Sequence, residues 1–168
     1  IGAAGGIWLA GWTDSPDFPL TVDALQPQSG GFREAFLTRL DPADGAITYS
    51  TLLGGEYTDM AMGLAVAADG SLCLVGSTWS TDFPVVDAFQ PEKMGFPYDT
   101  SDFFVTRVAA DGHSLIHSSY LGGTGDDTAA GIALAPGGDL ILVGTTDSED
   151  FRVYGPLQSE LAGYRDDV

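Results

Sequence analysis

Leu74-Val75-Gly76-Ser77-Thr78-Trp79-Ser80-Thr81-Asp82-Phe83-Pro84 stands in the middle of the chain, and it decides the fold because it is repeated. The same pattern occurs as Leu9-Ala10-Gly11-Trp12-Thr13-Asp14-Ser15-Pro16-Asp17-Phe18-Pro19, 65 residues earlier. It returns as Leu142-Val143-Gly144-Thr145-Thr146-Asp147-Ser148-Glu149-Asp150-Phe151-Arg152, 68 residues later. A period of this length marks copies of one supersecondary unit that bury their apolar faces on one another. The third copy carries Arg152 where the others carry Pro19 and Pro84.

Around this stretch each unit reads as four short strands. In the middle copy they are Met62 to Ala67, Ser71 to Thr78, Asp102 to Val108 and Leu115 to Leu121. Asp69-Gly70 and Asp111-Gly112 join the first to the second and the third to the fourth. Asp-Gly between β-rich runs signals a hairpin, because glycine accepts the positive φ that the turn requires. The first copy supplies Ala35 to Leu40 and Ile47 to Leu53, and the third supplies Gly131 to Ala135 and Asp139 to Val143. No segment sustains a helical period. Four antiparallel strands per unit predict an all-β partial β-propeller of about two and a half repeats. Residues 1–55 are expected to form an incomplete blade lacking its first strand, 56–123 a complete blade, and 124–168 an incomplete one. The chain opens within a repeat and ends at Asp166-Asp167-Val168, where another strand is due, so it reads as a fragment of a larger propeller.

Taken together, Ser50-Thr51-Leu52-Leu53-Gly54-Gly55, Ser118-Ser119-Tyr120-Leu121-Gly122-Gly123, the Gly-Ile/Leu-Ala strand, the Leu-Val-Gly-Ser/Thr-Thr strand and Ser-x-Asp-Phe-Pro resemble SBBP repeats, the seven-bladed β-propeller repeats. The resemblance covers essentially the whole chain. It implies a secreted or cell-surface bacterial protein, with further blades from the same polypeptide and no shared catalytic motif.

Composition narrows the partners. Twenty-four acidic residues against six basic ones give a formal net charge of −18. Nucleic acid is excluded as a partner because phosphate contacts need clustered Lys and Arg. No apolar run is long enough for membrane insertion as a helix. Cys73 is the lone cysteine and sits in an apolar strand, which reads as a small core residue. The abundant aspartates suit turns, where the carboxylate bonds nearby backbone.

Meander topology puts the second-to-third strand loops and the linkers between units on one rim. Aspartates recur there at two repeat positions: Asp17, Asp82 and Asp150 at one, Asp59 and Asp127 at the other. Calcium is the cation such oxygen ligands would take, although the EF-hand spacing is absent; the other reading is that they cap loops. Phe18, Phe83 and Phe151 recur as plugs between units, and Gln26-Pro27 and Gln90-Pro91 order the long loops. What does not repeat is the better functional signal. Trp12, Tyr57, Trp79, Phe96 and Tyr98 are rim aromatics suited to stacking on a glycan or to a protein hot spot.

Catalysis finds little support in the sequence. His113 lies at a hairpin turn and His117 in an outer strand, and no phosphate loop, zinc pattern or nucleophile elbow is present. The expectation is therefore a non-catalytic extracellular binding scaffold. A carbohydrate-active enzyme using rim carboxylates such as Asp126-Asp127 and a self-assembling surface-layer or filament component remain as alternatives.

Overall fold

The computed structural model describes residues 5–153 and 156–158, with residues 166–167 described as backbone. These residues are all β, with no helix, and therefore no helix long and apolar enough to cross a membrane. The strands are β1 (Ile7–Thr13), β2 (Glu34–Leu40), β3 (Ile47–Leu53), β4 (Asp59–Val66), β5 (Leu72–Thr78), β6 (Asp102–Val108), β7 (Leu115–Leu121), β8 (Asp127–Leu134), β9 (Leu140–Thr146) and β10 (Asp166–Asp167). They form three antiparallel meanders: β1-β2-β3, β4-β5-β6-β7 and β8-β9-β10. The strand expected at the end of the sequence is present as β10, paired to β9, while Val168 lies outside the described residues. No sheet closes on itself among the described residues.

The repeat seen in the sequence is a repeat of geometry. β4 and β5 slip register between Ala61 and Gly63, and β8 and β9 slip at the matching place between Ala129 and Gly131. The bulge is thus part of the unit, adding local twist. At the hairpins, Gly70 donates to Ala67 O and Gly112 to Ala109 O, each at a positive φ, +85° and +87°. The Asp-Gly pairs therefore work as expected, with glycine in the left-handed region where a Cβ would crowd the following carbonyl.

The middle sheet is covered on both faces, so all seven residues of β5 are buried. Because side chains alternate along a strand, successive residues serve different cores. Leu72, Leu74, Phe104 and Val108 pack with Ala35, Leu37 and Leu53 of the first sheet. Val75, Phe103 and Val105 pack with Ala129, Ile132 and Leu142 of the third. Positions 35, 37 and 53 of the first junction are positions 103, 105 and 121 of the second, so one type of interface occurs twice. β4 packs against both β1 and β8.

The long loops do more than connect. Val86 exchanges two backbone hydrogen bonds with Ser118 of β7, at 2.9 and 2.8 Å, and Tyr120 N donates to Gln90 O. In the first repeat Thr21 N and Leu52 N engage Ser50 O and Gln26 O in the same way. Each loop runs along the last strand of its own sheet and satisfies an edge that would otherwise present unpaired backbone. Phe83 is buried between the first and middle sheets, stacked on Phe104 at 4.5 Å, and Phe151 meets Phe103 of the neighbouring sheet edge-on.

Candidate functional site

The linkers between sheets are held by the repeated Ser-x-Asp-Phe motif. In linker 54–58 three successive amides find three acceptors. Gly55 N donates to Asp59 Oδ2 at 2.8 Å, Glu56 N to Asp82 Oδ1 at 2.7 Å, and Tyr57 N to Ser80 Oγ at 2.9 Å. Linker 122–126 repeats this, with Gly123 N on Asp127 Oδ2, Thr124 N on Asp150 Oδ1 and Gly125 N on Ser148 Oγ. Each serine closes the set by donating to its aspartate, Ser80 to Asp59 and Ser148 to Asp127, both at 2.8 Å. Four of the five aspartates considered as calcium ligands therefore accept backbone hydrogen bonds from the linkers, and Asp17 stands exposed at the equivalent place in the first repeat.

Asp59 and Asp127 depart from the sequence expectation in one respect. They are fully buried first residues of β4 and β8 rather than rim loop residues. Each faces a second buried acid from the preceding sheet. A Cβ on Gly54 would overlap Glu34 Oε2 and come within 2.6 Å of Asp59 Oδ2. A Cβ on Gly122 would come within 2.6 Å of Asp102 Cγ and 2.7 Å of Asp127 Oδ2. Glycine is thus required by close approach, and two carboxylates share the small space above it. Glu34 Oε1 accepts from Gly30 N and Gly31 N, and Asp102 Oδ2 from Gln90 Nε2 and Met94 N. The amide oxygens of Gln26 and Gln90 take Gly54 N and Gly122 N, which ties each long loop to the same place. Glu34 Oε2 and the Oδ1 atoms of Asp59, Asp102 and Asp127 are buried without a hydrogen bond.

Charge in this setting is unfavourable. Burial pushes the Asp59 carboxyl up to about 6, against the hydrogen bonds from Gly55 and Ser80, and the Glu34 charge adds to the rise. Burial pushes Asp102 up to about 7, with Asp127 adding and Lys93 opposing. Asp127 is raised for the same first reason. These groups lie in pairs; among the described residues no three His, Cys, Asp or Glu side chains converge as metal ligands.

The rim aromatics divide. Tyr57 and Tyr98 come together, their rings 4.7 Å apart, and Phe32 meets Tyr57 edge-on at 5.1 Å. The three rings come from loop 14–33, linker 54–58 and loop 79–101. Tyr98 OH donates to Glu56 Oε1 at 2.7 Å, and Thr81 Oγ1 donates to the same oxygen. Tyr98 is 41 % exposed and Phe32 70 %. Trp12 stands under the Arg33 guanidinium at 4.8 Å. Phe96 is exposed in its own loop, where Lys93 Nζ holds Met94 O and Phe96 O, and Trp79 is half-buried with its amide on Thr58 O. Phe32 and Arg33 were not evident from the sequence as partners. Their signal is the short parallel bridge of Arg33 to Thr58, which exists only once the linker is folded.

The histidines have structural settings. His113 Nε2 meets Asp23 Oδ2 at 2.9 Å and its ring lies against Tyr49, while His117 stacks on Phe89. In comparisons with known proteins, the chain matches no family model and no curated protein.

Proposed function

We propose that the three sheets are consecutive blades of a β-propeller and that the chain is a non-catalytic scaffold of an extracellular or cell-surface protein. On this reading the scaffold presents the rim around Phe32, Tyr57 and Tyr98 to a glycan or protein partner. The face-to-face stacking of sheets in chain order, through the same repeat positions at both junctions, supports the propeller. The observation that carries the binding reading is that the aromatic group is assembled from three segments and does not repeat. Gly125 stands at the position of Tyr57 and Thr100 at that of Phe32. What every sheet needs recurs in every sheet, so rings present once, with Phe32 and Tyr98 exposed and Tyr57 half-buried between them, point to a role beyond the fold. Glu56 beside them provides a carboxylate acceptor for sugar hydroxyls or a basic side chain, in keeping with the net charge of −18.

The test is a binding screen of the chain against glycans and against basic proteins, repeated with a Tyr57→Ala/Tyr98→Ala variant. Binding that falls tenfold or more in the variant is the expected result. Binding unchanged in the variant, or none to either class, overturns the reading.

A further inference from the structure

We infer that the rim around Tyr98 and Glu56 takes a guanidinium, the arginine side chain of an exposed segment of a partner protein. The inference rests on the reading of the rim as a binding surface and narrows it to one chemistry. It starts from an insertion. Six residues, 28–33, lie between Pro27 and Glu34, whereas ten, 92–101, lie between Pro91 and Asp102 at the matching place of the next repeat. The longer loop carries Tyr98 to the Glu56 side chain of linker 54–58. It also brings Gly95 against linker 122–126, where a Cβ would come within 2.7 Å of Thr124 O.

The loop is held in shape without a partner. Lys93 Nζ donates to Met94 O at 3.0 Å and to Phe96 O and Thr100 Oγ1, both at 3.4 Å. Tyr98 stands at φ +68°, in the left-handed region that a bulky residue rarely adopts. Its bond to Glu56 and its stacking on Tyr57 keep it there. A strained backbone kept at an exposed ring, in a loop that the other repeat does without, points to a use outside the fold.

The polar groups select the ligand. Tyr98 OH and Thr81 Oγ1 both spend their hydrogens on Glu56 Oε1, which fixes the carboxylate. Glu56 N donates to Asp82 Oδ1 at 2.7 Å, so the two acids are neighbours. Among the described residues, Glu56 Oε2 and Asp82 Oδ2 accept no hydrogen bond. The bond to Glu56 raises the Tyr98 phenol above its ordinary value, with lost hydration and the charges of Glu56 and Asp82 adding to the rise. Lys93 is engaged within its own loop, and the Arg33 guanidinium lies over Trp12 at 4.8 Å. The site therefore offers rings beside anionic acceptors. A sugar asks for donors and acceptors together, whereas a guanidinium is a flat set of donors that stacks on an aromatic face and bonds a carboxylate. The 4.7 Å between the Tyr57 and Tyr98 rings leaves no room between them, so the guanidinium lies on the exposed side of the pair. The net charge of −18 draws cations towards it.

A Gly-Arg-Gly peptide blocked at both ends tests this by titration into the isotope-labelled chain, beside counterparts with citrulline or lysine in the middle. The expected result is saturable amide shifts at Glu56, Tyr57 and Tyr98, with binding weaker by fivefold or more for citrulline and threefold or more for lysine. Glu56→Gln keeps an acceptor for Tyr98 OH and removes the charge, and it is expected to weaken the arginine peptide tenfold or more. Tyr98→Gly removes the ring and relieves the positive φ, so it is expected to lose the shifts while the spectrum of the strands stays in place. Equal affinity for citrulline or lysine, shifts spread over the acidic surface without a focus on the rim, or a Glu56→Gln chain that binds like the parent overturns the inference. The wider reading then stands if a glycan or a basic protein still binds through Tyr57 and Tyr98, and falls with it if neither does.

Discussion

Ser80 Oγ donates to Asp59 Oδ2 at 2.8 Å, joining the turn after β5 to the first residue of β4 in the interior. The same oxygen accepts Tyr57 N, so one hydroxyl ties a strand, a turn and a linker. Ser80→Ala leaves a buried carboxylate short of a donor and a linker amide without an acceptor. Such losses cost about 2 kcal/mol, and melting is expected to fall by about 5 °C or more. Ser148→Ala does the same for the third sheet through Asp127 and Gly125. A melt within about 1 °C of the parent would show that the clamp is dispensable.

The buried acid pairs set a pH dependence. Asp59 and Asp102, with folded values of about 6 and about 7, titrate near 4 when unfolded. Between those limits the folded state holds more protons than the unfolded one, so stability falls as pH rises and levels off above pH 7 or so. Asp69 runs the other way. Hydrogen bonds from Ser71 hold its carboxyl low, so its contribution is present above the unfolded value and is lost in acid. Thermal melts at intervals from pH 4 to pH 8 are expected to be highest at the acid end of that range and to decline by about 5 °C or more by pH 8. A melting temperature that climbs from pH 5 to pH 8 would contradict the assignment of protons to these pairs.

Asp102→Asn separates charge from shape. Its amide oxygen keeps the bonds from Gln90 Nε2 and Met94 N, while the new amide NH₂ replaces Oδ1, which has no hydrogen bond. The variant is expected to be more stable than the parent at pH 8, by about 1 kcal/mol, and to lose much of the pH dependence. Denaturant unfolding at pH 5 and pH 8 measures both. Destabilisation at pH 8 would show that the carboxylate charge is needed, as a bound cation would require.

Gly54→Ala tests why two acids can face each other at all. Its Cβ would overlap Glu34 Oε2 and crowd Asp59, both inaccessible to solvent. Overpacking of this kind costs about 1–3 kcal/mol, whereas Gly45→Ala meets no atom and carries only the penalty of a positive φ. Chemical denaturation of the two variants is expected to rank Gly54→Ala as the more damaging.

Much of this architecture is legible in the sequence for a physical reason. Period-two alternation and Asp-Gly turns are local signals, so β6, β7 and β3 fall on the expected residues. β4 and β8 begin earlier than expected, at Asp59 and Asp127, because aspartate is a poor strand residue by local preference. What overrides preference is a serine 21 residues away in sequence. Glu34 and Asp102 were equally hidden as partners. Their repeat at matching positions was visible, but their burial depends on the long loops, through Gly30 and Gln90, folding back onto them. The convergence of Phe32 with Tyr57 and Tyr98 has no local signal at all, since it joins three loops.

On the proposed reading, repeated residues such as Ser80 and Asp59 hold the sheets, and the unrepeated rings of Tyr57 and Tyr98 do not. Melting of the Tyr57→Ala/Tyr98→Ala variant measures that division directly, with Ser80→Ala beside it. The variant of the rings is expected to melt within about 3 °C of the parent, because Tyr98 is exposed and its bond to Glu56 is a surface contact. A fall as large as that of Ser80→Ala would mean that the rings are part of the core, and the rim would lose its standing as a display surface.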